Sequence, residues 1–282
     1  MRAFPAHGRW GLVLVALFWA LNWGLEGPRT HWGFFPLWLG FALTLDAWTY
    51  ARSGDSLLKR NPRRYLELFV VSVPLWWLFE AFNLHTRNWS YAGRELFSDL
   101  EYAFWASLSF STVLPAVFGA AEWMATWSWM RRFRSGPRLR PSRALLAGMF
   151  ACGLLMLLAI GLWPQYAFPF VWGVVYLLVE PLNVLTGRPS LLAHTAQGDW
   201  RPVVALGLGA LLCGLCWELW NYGSYPKWVY AVPWVDRPKL FEMPLLGYLG
   251  YPPFAWELFA AYCAIAGLWN RQPMAYIRLT RD

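Results

Sequence analysis

The chain has 282 residues, of which 58% are hydrophobic and only 14% are charged. Soluble domains carry about 25% charged residues, so this composition argues against a water-soluble domain and predicts an integral membrane protein. The net charge of +8 arises from basic residues in short segments between apolar runs. That distribution is typical of membrane topology signals and argues against a nucleic-acid-binding protein.

Eight apolar runs are each close to the roughly 20 residues that a helix needs to cross a bilayer. They predict transmembrane helices near residues 10–25, 33–51, 66–83, 102–130, 144–163, 167–186, 202–222 and 244–269. The predicted fold is therefore an all-α, polytopic membrane bundle of about eight helices. Aromatic residues make up 19% of the chain, which fits the Trp and Tyr belts found at membrane interfaces.

Basic residues are concentrated after the second and fourth predicted helices and in the C-terminal tail. These residues are Arg52, Lys59, Arg60, Arg63, Arg64, Arg131, Arg132, Arg134, Arg138, Arg140, Arg143, Arg271, Arg278 and Arg281. Because positively charged loops stay in the cytoplasm, we expect both termini to be cytoplasmic. The compact loops are typical of a protein of the bacterial inner membrane.

The two halves of the chain contain similar motifs in the same order. Phe79-Glu80-x-x-Asn83 matches Trp217-Glu218-x-x-Asn221, and Trp89-x-Tyr91 matches Trp228-x-Tyr230. These matches predict two tandem four-helix repeats, residues 1–130 and 144–282, joined by a basic cytoplasmic linker at 131–143 within one integrated membrane domain. An even number of helices per repeat predicts that the repeats share one orientation, with their axis along the membrane normal.

Several acidic residues lie within or at the ends of the predicted helices. A charge near the bilayer centre costs about 2.5 kcal/mol or more, so such residues usually face the bundle interior and have a function. The candidates form approximate repeat pairs, which are Glu80 with Glu218, Glu101 with Glu242, Glu122 with Glu257, and Asp46 with Glu180.

Glu80 and Asn83 are three residues apart and share one helix face, and their counterparts in the second half do the same. We expect the acids to converge with nearby amide and aromatic side chains. The predicted substrate-binding residues are Asn83, Asn221, Trp89, Tyr91, Trp228, Tyr230, Glu122 and Glu257. A protonated carboxyl beside aromatic faces that stabilise a cation would suit acid-initiated chemistry on an alkene.

The segment from Arg64 to Met124 resembles the small membrane domain of heterodimeric and fused lycopene cyclases. The resemblance rests on the order of Phe79-Glu80, Asn88-Trp89-Ser90-Tyr91 and Asp99-Leu100-Glu101-Tyr102, and on Trp217-Glu218, Trp228-Val229-Tyr230 and Phe241-Glu242-Met243-Pro244 in the second half. The family's paired acids are single here, since Tyr102 and Met243 occupy the second position. Its leading proline is replaced by Asp99 and Leu240.

The resemblance implies a membrane-bound isomerase without a cofactor, which protonates an isoprenoid or carotenoid and lets a ring close. Glu101 and Glu242 match the family's acidic motif and would be the proton donor and acceptor. Glu80 and Glu218 match its preceding acid and would tune them.

Two other functions remain open from the residues alone. Carboxylates in a two-fold repeat also suit a proton-coupled transporter of a small or lipophilic substrate. Alternatively, the acids and asparagines could only lock helices together in a membrane scaffold. No metal site is expected, because the four histidines form no pair on a helix face. Cys213 and Cys216 are expected to be packing residues within an apolar helix.

Overall fold

A computed structural model of the chain describes residues 2–25, 27–269 and 276–281, without the side chains of residues 28–30. Arg271 of the predicted basic tail therefore lies outside the described residues. Helices dominate this part of the chain, in agreement with the all-α prediction.

The helices and strands follow one another along the two halves. The helices are α1 (Ala6–Gly24), α2 (Phe34–Ser53), α3 (Leu57–Arg60), α4 (Pro62–Thr86), α5 (Asp99–Phe110), α6 (Val113–Ala125), α7 (Arg143–Leu162), α8 (Pro164–Ala167), α9 (Val174–Leu185), α10 (Leu191–Thr195), α11 (Arg201–Tyr222) and α12 (Tyr251–Ala266). Short 3-10 helices occupy Gly27–Gly33, Arg94–Leu96, Ser128–Phe133, Phe168–Trp172 and Leu245–Gly250. The strands are β1 (Trp89–Ala92), β2 (Lys227–Tyr230), β3 (Lys239–Leu240) and β4 (Met243–Pro244).

Helices occur at all eight predicted spans, but fewer than eight have the length and apolarity of a membrane-crossing helix. Within the described residues, four do so, which are Pro62–Thr86, Asp99–Ala125, Arg143–Leu162 and Arg201–Tyr222. A fifth is added if Pro164–Trp172 and Val174–Leu185, which meet at a bend of 43°, form one broken span. Of the others, α12 has only 16 residues, and α1 and α2 include polar side chains such as His7, Asn22 and Asp46.

The helix ends follow from local sequence. The Asn61 side chain accepts a hydrogen bond from the Arg64 amide, and Pro62 occupies the first position of α4, where no amide donor is needed. Ser142 caps α7 in the same way, through the amide of Leu145. Gly54 ends α2 with φ of 75°, a left-handed conformation that glycine adopts without strain.

The packing follows the same order in both halves. In the first half, α1 packs on α2, α2 on α6, and α4 on α6; in the second, α7 packs on α9, α9 on α12, and α11 on α12. The halves meet chiefly where α6 packs on α11. A side chain on Gly209 of α11 would lie 2.6 Å from the backbone nitrogen of Ala121, so glycine permits this close approach.

A short antiparallel ribbon, not predicted from the sequence, also joins the halves. Strand β1 follows α4 and pairs with β2, which follows α11. Trp89 lies opposite Tyr230, Ser90 opposite Val229, and Tyr91 opposite Trp228. The pairing is symmetric about the Ser90–Val229 pair, so each Trp-x-Tyr strand faces the other in reverse.

Candidate functional site

Asn83 and Asn221 hold the two strands of the ribbon onto the helices before them. The Asn83 side chain donates to the carbonyl of Trp89 at 2.8 Å and accepts from the amides of Asn88 and Trp89. Asn221 donates to the carbonyl of Trp228 at 2.8 Å and accepts from its amide at 2.9 Å. Each asparagine thus fixes a tryptophan beside the acid one turn earlier in its helix and does not itself line a cavity.

In the first half, the aromatic side chains surround the carboxyl of Glu80. Its Oε1 atom accepts hydrogen bonds from Trp76 Nε1 at 3.0 Å, Trp89 Nε1 at 3.2 Å and the Tyr91 hydroxyl at 2.5 Å. Trp76 lies one helical turn before Glu80, whereas the other two donors come from the ribbon. A single carboxyl oxygen therefore takes three donors.

In the second half, Glu218 has a matching set of donors. Its Oε1 atom accepts from the Tyr230 hydroxyl at 2.7 Å, the Tyr251 hydroxyl at 3.1 Å and Trp228 Nε1 at 3.4 Å. Glu218 is fully buried, and its Oε2 atom has no hydrogen-bond partner among the described residues. All three donors therefore bind one carboxyl oxygen, and the other oxygen is buried without a partner among the described residues.

The two acid clusters border one cavity of about 530 Å³. Glu218 lines it directly, whereas Glu80 lies behind Trp76, Trp89 and Tyr91, which form part of the wall. Both halves contribute further aromatic walls, which include Phe34, Tyr102, Trp105, Phe110, Trp172, Trp217, Trp228, Tyr230, Tyr251 and Phe254. The cavity is therefore shaped for an apolar molecule, with a few polar groups at fixed points.

Each half also supplies a tryptophan that packs beside the acid of the other half. Trp38 of the first half lies 4.9 Å from Trp217, the residue before Glu218. Trp172 of the second half stacks on Phe79, the residue before Glu80, at 5.6 Å. This exchange makes the site depend on both halves of the chain.

The phenols of the ribbon remain donors over the physiological pH range. Burial, and then the nearby Glu80 carboxyl, raise the pKa of Tyr91 well above its ordinary value. Burial and then Glu218 do the same to the pKa of Tyr230. Each hydroxyl therefore keeps its proton and its hydrogen bond to the acid.

The structure does not bring Glu101 to the cavity, although the family resemblance implies that it is catalytic. Its exposed side chain accepts hydrogen bonds from the amide and hydroxyl of Ser98, at 2.9 and 2.7 Å. Ser98 in turn caps the amide of Glu101, which completes a capping box at the start of α5. Glu101 thus stabilises a helix end.

Glu242, its counterpart, lies on the turn between β3 and β4 and is partly buried. Its carboxylate forms an ion pair with Lys227, a residue at the edge of the cavity. Glu242 therefore sits beside the cavity rather than in its wall.

Glu122, predicted to contact substrate, lies at the far end of α6 from the ribbon. Arg60 donates two hydrogen bonds to it at 2.8 and 3.1 Å, and Arg281 donates a third at 2.8 Å. The amide of Arg278 donates at 2.7 Å. The carboxylate thus anchors the C-terminal segment to the basic loop. Glu122 is therefore not part of the cavity wall, contrary to the prediction, because residues distant in sequence bind its carboxylate.

Three further acids in the interior hold helix ends. Glu257 accepts from the amide of Val175 at 2.9 Å, at the start of α9, and is not part of the cavity wall. Asp46 accepts from the Leu58 amide and Glu180 from the Leu192 amide, at the starts of α3 and α10. These contacts explain the positions of the three acids by backbone capping.

Several cavity residues were missed by the sequence analysis. Trp76 could have been found, because it lies four residues before Glu80 on the same helix face. Tyr251 and Trp172 were not among the predicted site residues. Arg94 and Lys227 were not distinguished from other surface cations.

The described part of the chain contains no group of three or more His, Cys, Asp or Glu residues placed to hold a metal ion. Its four cysteines are free thiols. No protein-family model matches the chain, and no match was found among curated proteins or solved structures.

Proposed function

We propose that the protein is a membrane-embedded isomerase that closes or rearranges an isoprenoid or carotenoid-type polyene by protonating an alkene. The observation that carries this proposal is the carboxyl of Glu218, which lines an aromatic cavity with one oxygen unpartnered among the described residues. Glu218 replaces Glu101 and Glu242 as the proposed acid.

The hydrogen bonds on Glu218 favour one position for its proton. Three donors point at Oε1, so the acid's hydrogen belongs on Oε2, which has no hydrogen-bond partner among the described residues. A neutral carboxyl can donate a proton in such a site, and the faces of Trp and Tyr stabilise the cation that forms. Glu80, behind Trp89 and Tyr91, would keep the opposite wall in place.

The proposed step needs no other reactant. The O–H bond of Glu218 breaks as a C–H bond forms at one alkene carbon, which leaves a cation on the neighbouring carbon. A second double bond of the same molecule attacks this cation and closes a ring. This attack moves the positive charge to a carbon of the second double bond. A C–H bond beside that carbon then breaks, its electrons form a new double bond and its proton returns to the Glu218 carboxylate, so the product has the same mass as the substrate.

We further propose that the chain forms a tandem-repeat membrane bundle in which all eight predicted helices span or enter the bilayer. Large apolar side chains on the outer faces of α1, α4 and α7 support this, such as Val13, Val70 and Leu155, which are 52%, 70% and 65% exposed. The symmetric register of β1 and β2 supports the repeat.

We propose an orientation from the basic loops and the length of α4. Its 25 residues separate the basic loop from the ribbon by about 37 Å, at about 1.5 Å per residue. If the basic loops are cytoplasmic, the cavity opens toward the outer leaflet of a bacterial inner membrane.

The test compares lipid and pigment profiles, by chromatography and mass spectrometry, of isoprenoid-producing cells that express the intact protein or Glu218→Gln. We expect a product of unchanged mass and altered retention that disappears in the variant. Glu101→Gln is the matched control, because glutamine also completes a capping box and the residue lies outside the cavity. Loss of product in Glu101→Gln but not in Glu218→Gln would contradict the proposal.

A proton-coupled transporter is the second candidate, and the broken span favours it. Phe168 and Trp172 lie in the 3-10 segment before the 43° bend and line the cavity. Broken helices at a central cavity are typical of transporters. Uptake into liposomes that depends on a proton gradient, without chemical change of the substrate, would favour this function over the isomerase.

A further inference from the structure

One side of the cavity reaches the surface at the 3-10 helix Leu245–Gly250. Leu246 and Leu249 line the cavity and are nevertheless 59% and 69% exposed, so they mark the opening. Two further apolar side chains of α5, Leu100 and Phe104, are 82% and 59% exposed. They lie two residues before and after Tyr102, which is part of the cavity wall. Such an apolar rim suits access from lipid rather than from water.

Two cations also line the cavity at this side. Arg94 follows β1 and Lys227 begins β2, opposite Ala92 in the ribbon, so the pairing brings both to the same end of the ribbon. Between Ala92 and Arg94 in the chain, Gly93 allows the backbone to approach the ring of Tyr225, because a Cβ atom at this position would lie 3.1 Å from that ring.

The guanidinium of Arg94 is held in place by the cavity wall. It lies 4.2 Å over the ring of Tyr102 and donates to the carbonyl of Phe97 at 2.8 Å. Its acidic partner is Asp99, whose side chain is 99% exposed. An ion pair to so exposed a carboxylate is weak, so an incoming anion can replace it.

Lys227 is the more enclosed of the two cations. Its side chain is 25% exposed and pairs with Glu242, which is 19% exposed. The ammonium also lies 5.6 Å from the ring of Tyr222. A compact ammonium beside a planar guanidinium is a combination that binds phosphate oxygens.

We propose that the ligand of this cavity is an isoprenoid lipid with a phosphate or diphosphate head, which Arg94 and Lys227 bind while the tail occupies the aromatic cavity. This inference rests on the proposed function, since it specifies the substrate of the same site. It differs from a purely hydrocarbon polyene, for which two cations at the opening would have no use.

The test measures binding of radiolabelled geranylgeranyl diphosphate to the full chain in phosphatidylcholine nanodiscs, beside geranylgeraniol, which has the same tail and a neutral head. We expect the diphosphate to bind at least about 10-fold more tightly, with a preference that falls as salt rises. Arg94→Gln with Lys227→Gln should abolish the preference and leave geranylgeraniol affinity unchanged, which also shows that the variant is folded. Lys239→Gln is the matched control, because Lys239 pairs with Asp236 on the same outer loop and lies outside the cavity wall.

Equal affinity for the two ligands would overturn the head-group site and leave the apolar cavity intact. Competition by phosphatidylglycerol as effective as that by the diphosphate would also overturn it, because the cations would then recognise ordinary anionic lipid. Absence of binding by either ligand would overturn this inference, whereas the proposed chemistry is decided separately by product formation in Glu218→Gln.

Discussion

Glutamates at the two ends of the molecule are buried by different means. Near the ribbon, Glu80 and Glu218 accept hydrogen bonds from indole and phenol groups. Near the basic loop, Glu122 is surrounded by Arg60 and Arg281. The first arrangement fixes a carboxyl without neutralising it, whereas the second neutralises a carboxylate and ties chain segments together.

The contrast teaches that burial of an acid in such a chain does not by itself indicate chemistry. An acid with cationic partners is a structural clamp, since its charge is already compensated. An acid with neutral donors on one oxygen and a cavity at the other can exchange a proton with a ligand. Variants of Glu218 and of Glu122 should separate these two roles.

Glu218→Gln should lower product formation by at least about 100-fold, the range typical for loss of a general acid. Thermal stability should change little, because the amide oxygen can still accept the three hydrogen bonds. Turnover is measured per folded protein, after size-exclusion chromatography. Glu80→Gln should cause a smaller loss, because Glu80 lies behind the wall; an equal or larger loss would reverse the assignment of the acid.

Glu122→Ala should have the opposite profile. It removes the buried carboxylate that pairs with Arg60 and Arg281 and leaves Arg60 paired with Asp55, which should cost up to about 3 kcal/mol of stability. Turnover per folded molecule should stay near that of the unchanged protein. Unfolding by heat or SDS measures the first effect and product analysis the second; a stable but inactive variant would mean that Glu122 acts in the reaction.

Asn83→Ala and Asn221→Ala test the support of the ribbon. Each removes a buried side chain that pairs with the backbone of Trp89 or Trp228, so each should lower stability by about 1–3 kcal/mol. Product formation should also fall, since the tryptophans would no longer be fixed. Aspartate at either position keeps the acceptor and loses the donor, so it should be intermediate in stability; stability unchanged by alanine would show that the ribbon is held by other contacts.

The smallest expected effect is the pH dependence of stability that arises from Asp55. Burial alone raises the pKa of Asp55, but the hydrogen bond and charge of Arg60, with the charges of Arg278 and Arg281, lower it below the ordinary 3.8. The stabilisation is therefore complete above pH 3.8 and is lost as pH falls through the lower folded-state pKa.

Asp55→Asn should consequently lower the thermal midpoint at neutral pH, and its difference from the unchanged protein should shrink as the pH falls below about 4. Thermal unfolding across this pH range measures it. A difference that grows in acid would mean that Asp55 is not the group that titrates.

The helical part of the fold could be predicted because each apolar run is long. Some runs also begin at residues that favour helix N-termini, such as Asn61-Pro62 and Ser142. The ribbon could not be predicted in the same way. Four residues, Trp89 to Ala92, are too few to establish an alternating pattern, and their partner strand lies far away in sequence.

Among the candidate site residues, the spacing of Glu80 and Asn83 was informative because both depend on one helix and the turn that follows it. Glu101 carried a different signal that was overlooked, since Ser98 three residues earlier forms the pattern of a capping box. The environment of Glu122 could not be predicted, because Arg278 and Arg281 reach it only through the path of the C-terminal segment.

The ribbon has a consequence for how the chain could be divided. Because β1 and β2 pair about Ser90 and Val229, each strand meets a Trp-x-Tyr sequence running the opposite way. A cut within the basic linker at 131–143 would leave β1 on one fragment and β2 on the other. Each strand could still form backbone hydrogen bonds with the other. Two separately synthesised halves should therefore reassemble through this ribbon. An ancestral single half could have paired with its own copy in the same way.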